Sequence, residues 1–204
     1  MAISIDPSSV KTNLTKFATT YPKFYKALNT TNTTYGALNK YWTGDRYKKI
    51  MGAWNKTVPD LNKQLKMLAS ASKVLNGIFK NYTTADTNTV SIAAAEAKNL
   101  TTCSISNKKE ITFDDAKLSS DLSKISKQLE TAKTEATTMQ SANKAAKWSD
   151  AGGAIDSAKK DIESSLTKII SYLSSLSSDI TKALNATSTD FGKAQKSYGK
   201  LSIR

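Results

Sequence analysis

The side chains that most often carry catalysis are sparse in this chain. It has no histidine and a single cysteine, Cys103. That removes histidine-based zinc sites, the commonest general base, and both Ser-His-Asp and Cys-His arrangements. A lone cysteine also forbids an intrachain disulfide. A carboxylate-only metal site or a Ser-Lys pair stays open, but no motif points to either. The sequence predicts a non-enzymatic protein with no metal and no cofactor.

Residues suited to recognition are better placed. Tryptophan stands two positions before glycine in Trp42-Thr43-Gly44, and a related stretch returns as Trp148-Ser149-Asp150, followed by Gly152-Gly153. Each lies between segments with helical spacing, so each tryptophan is expected to cap a turn and plug one end of a bundle. Burying one fully is worth about 4–6 kcal/mol, from ~150–250 Å² at ~25 cal/mol/Å². Lysines recur every seven residues as Lys49, Lys56, Lys63 and again as Lys66, Lys73, Lys80. They fall away from the apolar stripe: a solvated face by default, a docking ridge for an acidic partner in the sharper reading.

Charge is unevenly spread. Residues 1–108 carry 15 Lys and Arg against 5 Asp and Glu, whereas residues 109–204 carry 15 against 12. The net charge of +13 suits an acidic partner or an anionic cell-envelope surface. Only Arg46 and Arg204 are arginines. Base reading leans on the arginine fork, so no specific nucleic-acid partner is expected. The start, MAISIDPSSVKTNLTKF, lacks the charged and apolar regions of a cleaved signal peptide, and no apolar run is long enough to span a membrane.

The elements that must position these residues come as two copies. ISID at Ile3–Asp6 returns as ITFD at Ile111–Asp114, an offset of 108. Val10, Leu14, Phe17, Tyr21, Phe24 and Leu28 mark one helical face; the same offset gives Leu118, Leu122, Ile125, Leu129, Ala132 and Ala136. Beyond the first turn the stripe reads Tyr47, Ile50, Trp54, Val58, Leu61, Leu65, Leu68, Ser72, Leu75. Its counterpart reads Ile155, Ala158, Ile162, Leu166, Ile169, Leu173, Leu176, Ile180, Ala183. Ser72 is the one polar exception. Asp6-Pro7 and Asp114 read as helix starts. Pro22 and Pro59 fall inside the two helices of the first copy, where a matched bend at one height is expected.

The fold class is therefore all-α: two antiparallel helical hairpins packed as an elongated four-helix bundle. Residues 1–88 form the first hairpin, 89–110 a partly helical linker, and 111–204 the second, with both halves in one bundle. Within the linker, Val90–Leu100 is expected to extend the preceding helix. Phe191, Ala194, Tyr198 and Leu201 carry the last helix nearly to the end.

A helix-Trp-x-Gly-helix unit preceded by ISIDPSSV, with Trp54 one heptad after Tyr47, resembles the WXG family, small secreted hairpins of the Esx type. The resemblance covers residues 3–86, and residues 111–190 look like a second, degenerate member with Asp150 in place of glycine. It implies export, without a cleaved leader, by the ATPase of a type VII secretion system. The chain would act as an effector or as an escort for a toxin or another WXG-like protein, secreted or held at the cell surface. Family members are typically dimers of hairpins, so this chain resembles such a dimer fused into one monomeric polypeptide. The family's export signal, Tyr-x-x-x-Asp/Glu, matches Tyr82 and Asp86 and would be read beside the paired half's Trp148; Trp42 and Gly44 would be the first turn's recognition residues. Tyr82 also continues the core spacing, and Tyr41–Asp45 fits the same pattern. The competing expectation is a membrane-active bundle that opens to expose amphipathic helices.

Overall fold

Asp6 and Asp114 open the two halves in the same way. Each is extended, and its carboxylate accepts from the N–H three residues on: Ser9 at 3.0 Å and Lys117 at 3.1 Å. This satisfies one of the donors left free in a first helical turn. The helices that follow are α1 (Pro7–Leu38), α2 (Asp45–Ala85), α3 (Asp115–Ala145) and α4 (Ala154–Tyr198). The computed structural model describes residues 3–85, 92–96, 98–106 and 114–198.

The four helices form one bundle around a single hydrophobic cluster drawn from both halves. Every position of the four stripes is buried, Ser72 included. α1 packs on α3, α3 on α4, and α4 on α2, while α1 and α2 hardly touch. Two ties set the α1–α3 register. The Ser9 hydroxyl donates to the Ala145 carbonyl at 3.1 Å, and at the far end the Tyr41 hydroxyl donates to Asp121. This antiparallel register brings Phe24 and Leu28 to the level of Ala132 and Ala136, large side chains against small ones.

A two-stranded antiparallel sheet closes one end. β1 (Ser4–Ile5) pairs with β2 (Trp148–Ser149), Ser4 opposite Ser149 and Ile5 opposite Trp148. The Asp6 N–H donates to the Lys147 carbonyl at 2.9 Å, extending the tie to the foot of α1.

Two expectations are corrected. The linker does not prolong α2: residues 92–96 and 98–106 are not helical, and Val90 lies outside the described residues. Instead residues 92–96 and 98–106 form an extended strap in the channel between α1 and α2, parallel to α1 and antiparallel to α2. Helical spacing in Val90–Leu100 misled because a small residue such as Ala95 is buried as readily on an extended chain.

The second correction concerns the prolines. Pro22 and Pro59 lie inside helices that continue through them, but they are not level. The Tyr35 and Trp54 rings stack at 4.7 Å and 12°, fixing a common height. Pro22 is thirteen residues back from Tyr35, and Pro59 five residues on from Trp54. At ~1.5 Å per residue they differ by about 12 Å in height. Counting from the turn assumed equal helix starts, whereas α2 begins well beyond the end of α1.

Candidate functional site

The first turn reverses the chain at one bundle end. The Trp42 N–H donates to the Leu38 carbonyl at 2.9 Å, closing the last turn of α1. Gly44 takes φ +101°, and its carbonyl accepts from Lys48 N at 3.0 Å as α2 begins. A Cβ on Gly44 would meet nothing within 4 Å, so the backbone angle alone calls for glycine. Trp42 is 4% exposed and meets Tyr47 edge-on at 5.8 Å, as a plug should. Tyr41 ties this turn to α3 through Asp121, with the Lys117 ammonium 4.7 Å from its ring centre. Burial, then the Asp121 hydrogen bond and charge, push the Tyr41 hydroxyl's pKa well above its usual value.

The second turn solves the same problem differently. Asp150 is not at positive φ; Ala151 (φ 51°) and Gly152 (φ 89°) are. Asp150 acts as a cap. Its carboxylate accepts from Ile155 N at 2.9 Å and Asp156 N at 3.1 Å, and its carbonyl from Gly153 N at 3.3 Å. Burial works to raise this carboxyl's pKa, but the surrounding backbone N–H groups outweigh it and leave the value lowered. From α4 the half-buried Lys159 donates to the carbonyls of Ala146 at 2.7 Å and Trp148 at 3.3 Å, closing the end of α3. Burial, opposed by the charge of Asp156, lowers the Lys159 pKa.

Trp148 is 4% exposed, and Phe79 meets it edge-on at 6.2 Å and 89°. This places the end of α2 beside the second turn. Tyr82, one helical turn past Phe79, is 38% exposed, so it leaves the core spacing that Phe79 and Thr83 maintain. Asp86 lies outside the described residues. Lys49, Lys56, Lys63, Lys66, Lys73 and Lys80 are all exposed on α2, so the structure gathers them on one element as a solvated face.

The strap brings together residues that the apolar pattern does not reveal. Asn62 donates to the Leu100 carbonyl at 2.9 Å and accepts from the Leu100 N–H at 2.8 Å. Asn55 treats Cys103 identically, both bonds at 2.8 Å. Asn76 donates to the Ile92 carbonyl at 3.2 Å, and Ser72 accepts from Ala95 N at 3.2 Å. From α1, Tyr21 donates to the Glu96 carbonyl at 2.7 Å and Tyr25 to that of Asn99 at 3.2 Å. The Tyr47 hydroxyl donates to the Ser104 carbonyl at 3.2 Å and accepts from Ser106 N at 3.1 Å. Burial, then the neighbouring Tyr25 and Glu96, raise the Tyr21 pKa to about 12. The signal in the sequence was the spacing of Asn55, Asn62 and Asn76, seven and fourteen residues apart, beside the polar intruder Ser72.

Cys103 is half-buried against the Asn32 carbonyl at 3.6 Å, and burial raises its thiol pKa, which is unlike a nucleophile. Among the described residues no group of His, Cys, Asp and Glu is placed to hold a metal, and no helix is long and apolar enough to cross a membrane. What the arrangement does offer is two plugged bundle ends and a channel that grips main chain. Comparison of the chain with protein-family models, with curated proteins and with solved structures found no match.

Proposed function

We propose that the chain is a non-enzymatic helical protein exported by a type VII secretion system, acting as an effector or as an escort for a partner toxin. The observation that carries this reading is the neighbourhood of Tyr82. An aromatic side chain beside the core line of Phe79 and Thr83 is left 38% exposed, one turn past the Phe79–Trp148 contact. In the fused-dimer picture, the export tyrosine of one hairpin is read beside the tryptophan turn of the other. The positive φ of Gly44 and the burial of both tryptophans support the same reading, as does the one core shared by the two halves. The basic first half suits retention at an anionic cell surface after export.

The test is an export assay comparing wild type with Tyr82→Ala and Asp86→Ala, and with a strain lacking the secretion ATPase. Medium levels that fall in all three support the proposal. Unchanged export of both variants removes Tyr82 and Asp86 as the signal, and unchanged export without the ATPase removes the secretion reading itself.

A further inference from the structure

The grip on residues 92–96 and 98–106 is addressed to the main chain. Asn62 and Asn55 each take the N–H and meet the C=O of a single strap residue, as a neighbouring β-strand would. Asn76, Tyr21 and Tyr47 bind further carbonyls, and Ser72 takes another N–H. Side-chain reading is confined to few places. Of the described strap residues only Ala95 and Leu100 are buried; Ile92, Ala94, Cys103 and Ser106 are half-buried, with Ile92 and Cys103 packed against the core.

The second half, built on the same plan, carries no such device. One offset of 108 onward, Asn55, Asn62, Ser72 and Asn76 become Glu163, Ile170, Ile180 and Leu184. There α4 packs directly on α3. A helical hairpin of this design therefore closes without a filler, whereas the first one holds an extended chain between its helices.

We propose that the channel between α1 and α2 is a binding site for extended peptide segments with an apolar residue, a small residue three positions on, a leucine five further, and a small residue three beyond that. Residues 92–96 and 98–106, with Ile92, Ala95, Leu100 and Cys103, are its resident occupant, and a partner's segment of the same pattern displaces them. The backbone contacts accept any extended chain; the Leu100 socket and the two small positions select. This proposal stands whether or not the export reading does.

The experiment uses the full chain with Leu100→Asp, which weakens the resident strap and leaves the channel walls intact. The probe is a labelled synthetic peptide of residues 92–106 carrying Cys103→Ser. Fluorescence anisotropy should show saturable binding at least tenfold tighter than to wild type, where the tethered strap competes at high effective concentration. Adding Asn55→Ala and Asn62→Ala to the receptor should cost at least another tenfold. Binding no tighter than wild type, or undiminished by the asparagine changes, overturns the proposal. A Leu100→Asp chain that loses its helicity overturns it too, because the strap is then inseparable from the core. On the unaltered chain, native-state hydrogen exchange should show the Leu100 and Cys103 amides opening before those of α3 and α4. Exchange of all of them in one global step counts against a displaceable strap.

Discussion

The carboxylate of Asp150 occupies the space that a side chain on Gly153 would need: a Cβ there would stand 2.4 Å from Asp150 Oδ2. Gly153 is therefore required by a neighbour, whereas Gly44 is required by its own backbone angle. Gly153→Ala should lower the melting temperature by pushing Asp150 off the N–H groups of Ile155 and Asp156. In the Asp150→Ala background the same change should cost much less, a coupling that a double-mutant cycle in urea measures.

Gly44→Ala isolates the other cause. With empty space around it, only the strain at φ +101° is felt, about 1–2 kcal/mol. In a domain of this size that is a fall of about 2–8 °C in Tm, from ~2–4 °C per kcal/mol. Gly44→Asn should recover part of it, because asparagine tolerates positive φ better than alanine.

Acid should find the second turn. The folded pKa of Asp150 is lowered, so its stabilisation is present above the ordinary aspartate value of about 3.9 and is lost as pH falls through the folded value. Urea midpoints measured from pH 5 to pH 2 should fall more steeply for wild type than for Asp150→Asn.

Alkali should find the strap. The folded pKa of Tyr21 is raised to about 12, so its contribution is intact below pH ~10 and is lost as pH rises from there through about 12. Ultraviolet titration of Tyr21→Phe should lose one late-titrating phenol, and its stability should fall less over that interval than that of wild type.

Asn62→Ala leaves the N–H and C=O of Leu100 without their partner. Each stranded group costs ~1–3 kcal/mol where water does not reach it. Equilibrium denaturation should register a loss of a few kcal/mol, with faster amide exchange at Leu100. Trp54→Ala should cost more, ~3–5 kcal/mol, because it empties a fully buried site stacked on Tyr35.

The bundle was legible because its determinants are periodic. Offsets of 108 and steps of three and four residues located every helix and every stripe position, down to the small-for-large exchange of Ala132 and Ala136 for Phe24 and Leu28. The strap was not, because an extended segment held by asparagine side chains leaves no apolar period of its own. Its trace lay on the other partner, in Asn55, Asn62, Asn76 and Ser72. The second turn was half legible: Gly152 does supply a positive angle, but Asp150, which stands where the first turn has glycine, works through its carboxylate. Tyr82 shows the limit of spacing, since a step of three from Phe79 predicts its burial, whereas the core line steps four to Thr83 and leaves Tyr82 exposed.

The pairing of Ser4–Ile5 with Trp148–Ser149 has a bearing on biosynthesis. α1 covers its stripe against α3, and α2 against α4, so both wait for partners made much later. About 110 residues separate the end of α1 from β2. At ~5–20 residues per second a ribosome needs on the order of 5–20 s to deliver them. For that interval the emerging first half lacks the α3 and α4 faces against which its two stripes are covered. The bundle is thus assembled after translation of its second turn, and a nascent first half is the form of this protein most in need of a chaperone.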